Sequence, residues 1–122
     1  MRRFEEEEFP VQYMLLIYSA ESDDANQDGQ RLMADYGAFT QGIVQNGNFK
    51  SADRLRPVAT ATTVKVRDGK TLTTDGPFAE TREQLGGYYL IDAKDLDEAI
   101  AIAARVPTAR HGSIEVRPVW EM

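Results

Sequence analysis

Two apolar runs constrain the fold of this chain more than any other feature. Tyr13–Tyr18 reads Tyr-Met-Leu-Leu-Ile-Tyr, and Gly87–Asp92 reads Gly-Tyr-Tyr-Leu-Ile-Asp. Neither alternates apolar with polar, and polar segments flank both. At six residues each, they read as strands that must be covered on both faces.

The remaining elements fall around these two. Glu21–Gly29 is polar and turn-like, with Ser22, Asn26 and Asp28 available to start a helix. Leu32, Tyr36, Phe39 and Ile43 then recur at helical spacing, with Met33 and Val44 beside them, and Asn46-Gly47 stops the run. Phe49–Leu55 reads as a short strand ended by Pro57. Thr62, Val64 and Val66 alternate with Thr63, Lys65 and Arg67. Asp68-Gly69 makes a tight turn, and Lys70–Thr74 returns as the partner. Asp95 caps a second helix, with Glu98 completing the box. Leu96, Ala99, Ile100, Ala103 and Val106 form its predicted buried face, and Pro107 follows. Ser113–Trp120 closes the chain as a strand, with Ile114, Val116 and Trp120 on one side.

With the hairpin set aside, the order is strand, helix, strand, strand, helix, strand. This predicts an α+β, ferredoxin-like βαββαβ fold with an inserted β-hairpin. Right-handed crossovers put both helices on one face of the sheet. The other face would leave Met14, Leu16, Tyr89 or Ile91 in water, a larger apolar patch than a monomer tolerates. The same face of a second copy is the simplest cover, which predicts a homodimer enclosing an α/β barrel.

Length and charge bound the function. The chain has 122 residues, one domain's worth. Residues 12–122 read as that domain, and residues 1–11, with Glu5–Glu8, as a flexible N-terminal extension. A net charge of −6 disfavours direct nucleic-acid binding. There is no cysteine and one histidine, His111. Thiol chemistry and a His-rich metal site are therefore excluded, and no cofactor or metal is expected. No apolar run approaches the ~20 residues of a membrane helix, and the N-terminus lacks a signal peptide's apolar core. A cytoplasmic protein is the expectation.

The candidate chemistry sits between the hairpin and the second apolar run. Asp75-Gly76-Pro77-Phe78 is a turn by composition. Glu80, Arg82 and Glu83 follow within a few residues. In a cleft, Asp75 or Glu80 could serve as a general base and Arg82 could fork onto an anionic ligand. On a solvated turn none of them would. Phe78 is either a plug on the core or a pocket wall. Gly86-Gly87 suits close ligand approach or a turn cap. Arg54 and Arg56 flank a strand and are anion binders or surface residues. His111 has no acid or hydroxyl motif beside it in sequence and reads as structural.

Asp75-Gly76-Pro77-Phe78 resembles the motif that names the DGPF-domain branch of the YCII-related family. Tyr13-Met14-Leu15-Leu16-Ile17-Tyr18 is similar to that family's opening strand. The likeness continues through Ala61-Thr62-Thr63-Val64, Val66-Arg67-Asp68-Gly69, Glu83-Gln84-Leu85-Gly86-Gly87-Tyr88-Tyr89-Leu90-Ile91, Asp97-Glu98-Ala99 and Gly112-Ser113-Ile114-Glu115-Val116-Arg117-Pro118-Val119. The resemblance implies a ferredoxin-like fold and a dimeric α/β barrel, with no settled reaction. The family's other branch resembles muconolactone isomerases and carries a His-Asp pair. Those two positions fall on Tyr36 and Val106 here, so that pair is absent and its mechanism is not carried over. Tyr36, in the histidine's place, becomes a ligand-binding candidate. Genes of the DGPF branch often lie beside extracytoplasmic-function sigma factors, which implies a possible sigma-factor association.

Three functions fit this sequence. The first is a small-molecule binding or sensing dimer, with Tyr36, Phe78 and Arg82 at its ligand. The second is a cofactor-free isomerase-like or lyase-like enzyme acting on a small metabolite through Asp75 or Glu80. The third is a structural dimer module. An apolar cleft without a tuned carboxylate would favour the first.

Overall fold

A computed structural model of the chain describes residues 10–120. The predicted flexible extension lies, but for its last two residues, outside the described residues. Strand β1 (Val11–Ser19) leads into a short helix α1 (Glu21–Ala25) and a long helix α2 (Gly29–Gln45). Strand β2 (Phe49–Arg54) is followed by a 3-10 turn (Val58–Thr60) and the strands β3 (Thr62–Arg67) and β4 (Lys70–Asp75). Strand β5 (Gln84–Ala93), helix α3 (Leu96–Ala103), a second 3-10 turn (Pro107–Arg110) and strand β6 (Ser113–Pro118) follow within the described residues.

Four strands form one sheet in the order β2-β5-β1-β6, antiparallel throughout. The two apolar runs are its central pair, as strands needing cover on both faces should be. This order is compatible with a ferredoxin-like fold. Strands β3 and β4 pair separately as a two-stranded sheet. Asp68 and Gly69 at their turn have φ of 53° and 74°, the positive values that a two-residue hairpin turn requires.

The core lies between the four-stranded sheet and the helices. Tyr13, Leu15 and Ile17 of β1 and Tyr89, Ile91 and Ala93 of β5 cluster with Phe39 and Ile43 of α2 and with Ala99, Ile102 and Ala103 of α3. Leu15, Ile43 and Ile91 are fully buried, each contributing about 1.5–3 kcal/mol. Asp28 caps α2 by accepting from the Gln30 and Arg31 amides, and Asp95 caps α3 by accepting from the Glu98 amide. Glu98 accepts in return from the Lys94 amide, one residue before the cap.

The structure corrects several expectations. Tyr89 and Ile91 point into the helix-covered core. Tyr88 and Leu90, one residue out of phase, share the opposite face with Met14 and Leu16, which they meet as Leu16↔Tyr88 and Met14↔Leu90. Strand periodicity allows no other sharing once the register is set. The polar Glu21–Gly29 stretch holds the short helix α1 rather than turns alone. On α3, Leu96 and Ile100 are exposed and Ile102 is buried instead. The last strand stops at Pro118, leaving Trp120 exposed. The β3–β4 hairpin buries neither face: Val64, Val66 and Leu72 are all exposed.

Candidate functional site

A groove of about 640 Å³ opens where the hairpin joins the sheet. Its first wall is the segment leaving β2, Leu55 to Val58, where Pro57 breaks the strand. Its second is the turn after β4, Pro77 to Ala79. Gln84 and Leu85 at the start of β5 and Tyr18 near the end of β1 form the floor.

Local chemistry fixes each wall. Gly76 has φ 99°, a conformation that costs glycine nothing and other residues strain. Its amide donates to the Ala61 carbonyl at 2.7 Å, and its own carbonyl accepts from Thr63 Oγ1 at 2.9 Å. The turn is thereby pinned to the hairpin base, and Phe78 is thrown outward. Phe78 is 78% exposed, so it is a groove wall and not a plug. Its ring lies 5.3 Å from Lys65 Nζ, within cation–π range. The opposite wall is held by Glu21, whose carboxylate accepts from the Val58 amide at 2.9 Å. The Glu21 amide donates to Gln84 Oε1 at 3.2 Å, so α1 ties wall and floor together.

The groove gathers only part of the candidate set. Phe78 lines it; Asp75, Glu80, Arg82 and Tyr36 do not. Asp75 ends β4 and pairs with Thr62. Asp75, Glu80 and Arg82 are all exposed. Their neighbour Glu83 accepts from Ser113 Oγ at 2.9 Å and so ties the loop to β6. Gly87 is neither a ligand approach nor a cap. A Cβ there would sit 2.8 Å from the Asp53 carbonyl, so it is small because β2 passes close.

Tyr36 belongs to a different place. It packs on the helix side of the sheet, stacked with Tyr89 at 6.4 Å between centroids. Its hydroxyl is 2.6 Å from Thr108 Oγ1. Burial pushes the Tyr36 phenol above its ordinary value; the Thr108 hydrogen bond offsets part of this, while Tyr89 and Asp24 add to it. Val106, at the family aspartate's position, is buried.

Next to Tyr36 lies a cluster that short-range sequence reading missed. Asp24 Oδ2 accepts from Ser19 Oγ at 2.8 Å, and Asp24 Oδ1 is 3.0 Å from His111 Nε2. The lone histidine therefore has an acid beside it, 87 residues away in sequence, and that acid in turn holds a serine hydroxyl. No local spacing could reveal that. Arg56, Tyr18 and Leu85 line the groove beside Phe78, and no spacing in the sequence groups them. The one available signal for Arg56 was its place beside the strand-breaking Pro57. Among the described residues, no group of three His, Cys, Asp or Glu is arranged to hold a metal ion, and no helix is long and apolar enough to cross a membrane.

Comparison with known proteins agrees with the motifs. A protein of Rhizobium meliloti (strain 1021), described only as uncharacterized, is 40% identical over 112 residues, covering 88% of this chain and 90% of its own. The model of the YCII-related domain matches residues 11–122. The chain therefore belongs to the YCII-related family.

Proposed function

We propose that this protein is a small-molecule binding or sensing homodimer. The observation that carries this reading is the composition of the groove. Leucine, proline, valine, alanine, phenylalanine and tyrosine dominate its lining, and no carboxylate, histidine or lysine is among the lining residues. Binding sites are largely apolar with a few polar groups that fix orientation. Acid–base catalysis, in contrast, is most often served by a histidine, carboxylate or lysine within reach of the reacting atom, and the Tyr18 phenol is the one acid in the lining. Asp75 and Glu80 stand outside the lining and in solvent, which favours binding over isomerase-like or lyase-like chemistry.

The dimer rests on the open sheet face. Met14, Leu16, Tyr18, Tyr88 and Leu90 alternate with core residues and, among the described residues, stand outside the helix-covered core, each only half-buried. They are flanked by the Arg117–Glu115 ion pair on β6 and the Tyr88–Asp53 hydrogen bond toward β2, an apolar centre with a polar rim. A second copy packed here would enclose an α/β barrel. Tyr18 belongs both to this face and to the groove, so such a partner would also close one side of the binding site. The Asp75-Gly76-Pro77-Phe78 turn supports a place in the DGPF branch. A sigma-factor association rests on the resemblance alone.

The test is a ligand screen by protein-observed NMR on wild type and on Phe78→Asp. Shifts clustered on Tyr18, Leu55, Phe78 and Leu85, lost in the variant, are the expected result. Shifts clustered instead around Asp75, Glu80 and Arg82, with turnover of the ligand, would favour the enzyme. Silence at every residue would leave the structural module.

A further inference from the structure

We propose that the groove takes a small amphipathic anion, an apolar acyl or aromatic body carrying one carboxylate, and that Arg56 holds the carboxylate. The proposal rests on the binding function above and specifies its ligand class.

The polar groups of the lining are nearly all in use. Thr60 Oγ1 donates to the Pro57 carbonyl at 2.7 Å. The Thr81 hydroxyl donates to the Glu83 carbonyl. The Gln84 side-chain amide is occupied at both ends, donating to the Thr81 carbonyl at 2.7 Å and accepting from the Glu21 amide. The lining amides of Leu55 and Val58 donate to Gly86 and Glu21. Among the described residues, the Arg56 guanidinium and the Tyr18 phenol make no side-chain hydrogen bond or salt bridge.

A guanidinium has five N–H donors and no acceptor, and it carries charge at every working pH. It cannot hold a cation or a donor-only ligand. Its planar fork matches a carboxylate in a bidentate pair. Tyr18 can add a further O–H donor. Against this single charge stand Phe78, Leu55, Leu85, Pro57, Pro77 and Val58, with no acidic side chain among the lining residues to repel an anion. The chain as a whole carries −6, so a cation with no ion-pair partner among the described residues is a local exception to its electrostatics; the Glu21 carboxylate behind the Val58 amide is not among the lining residues. Arg56 is exposed, so its replacement leaves the fold intact.

The probes are benzoate and hexanoate, each against its neutral amide, measured by titration calorimetry or NMR. The acids should bind about tenfold tighter than benzamide and hexanamide, equivalent to about 1.4 kcal/mol. Arg56→Gln should bring the acids down to the amides without weakening the amides, and Arg56→Lys should retain part of the preference. Arg82→Gln should change nothing. Equal binding of acid and amide by wild type would overturn the anion assignment and leave the groove reading standing. Loss of the preference in R82Q but not in R56Q would overturn Arg56 as the holder. No binding of either probe set would overturn the ligand class, and silence in the wider screen as well would take the groove reading with it.

Discussion

The hydroxyls of Tyr36 and Thr108 lie 2.6 Å apart, joining helix α2 to the turn before β6 across 72 residues of sequence. Thr108 is 5% exposed, so its hydroxyl relies on a protein partner instead of bulk water. A buried hydroxyl stripped of its partner costs more than an average hydrogen bond contributes. The position that the family resemblance marked as a ligand contact thus serves as a strut between a helix and the sheet.

Tyr36→Phe should therefore destabilise the protein by about 1–2 kcal/mol at neutral pH, measured by urea denaturation. It should also change the alkaline limb. Burial holds the Tyr36 phenol above its unfolded value of 10.0. Between the unfolded and folded values the native state binds more protons, so stability is full below pH ~10 and falls as pH rises through the folded value. The variant should show a shallower decline there. Tyr13 and Tyr88 are also raised and keep part of the slope. An unchanged alkaline limb would show that Tyr36 is solvated.

Gly112→Ala should be among the most damaging single changes. A Cβ at this position would lie 2.3 Å from the Tyr18 carbonyl and 3.0 Å from both Ser19 Cβ and Thr108 Cγ2. Backbone and packed side chains surround it, so the strand pair must part, at a cost of about 3 kcal/mol. Gly42→Ala is the control. Nothing lies within 4 Å of its Cβ, it sits within α2, and it should stabilise by up to ~1 kcal/mol. Thermal denaturation of the two variants should move in opposite directions.

Asp24 receives Ser19 on one oxygen and His111 on the other. Ser19 is 5% exposed, so removing its acceptor strands a buried hydroxyl. Asp24→Ala should cost about 2 kcal/mol. In a double-mutant cycle with Ser19→Ala, the second loss should be smaller than the first, with a coupling of about 1 kcal/mol. Strict additivity would mean that Ser19 finds water instead.

The fold was legible because its signals are local or periodic. The two apolar runs identified the central strands, Asp95 with Glu98 marked a helix start, and Asp68-Gly69 marked a turn; each is decided by chemistry within a few residues. The phase of β5 was not legible. Tyr88, Tyr89, Leu90 and Ile91 are all apolar, so nothing in composition says which pair faces the helices, and only pairing with β1 settles it. Exposure of Leu96 and Ile100 was missed for a related reason, since a short helix rich in alanine and isoleucine offers two apolar faces. At the site, Phe78 was legible from its turn. Arg56 was legible only as one of two strand-flanking arginines, because its place beside Phe78, like the Ser19–Asp24–His111 contacts, depends on segments far apart in sequence meeting in space.

Leu16→Glu should dissociate the proposed dimer without unfolding the chain. Leu16 sits at the centre of the open face, opposite Tyr88 on β5 and Glu115 on β6. It is only half-buried within one chain, so a carboxylate there can still reach water in the monomer. In a packed dimer the same carboxylate would be buried without a partner, a penalty of several kcal/mol. Sedimentation equilibrium should give a two-chain mass for wild type and a one-chain mass for the variant, with circular dichroism unchanged. Val64→Glu, on the exposed hairpin, separates the two surfaces available to a partner. If it alone dissociates the dimer, the hairpin is the interface and the sheet face is left uncovered. If Leu16→Glu alone does so, the sheets pack together, and Tyr18 places the groove at the edge of that interface.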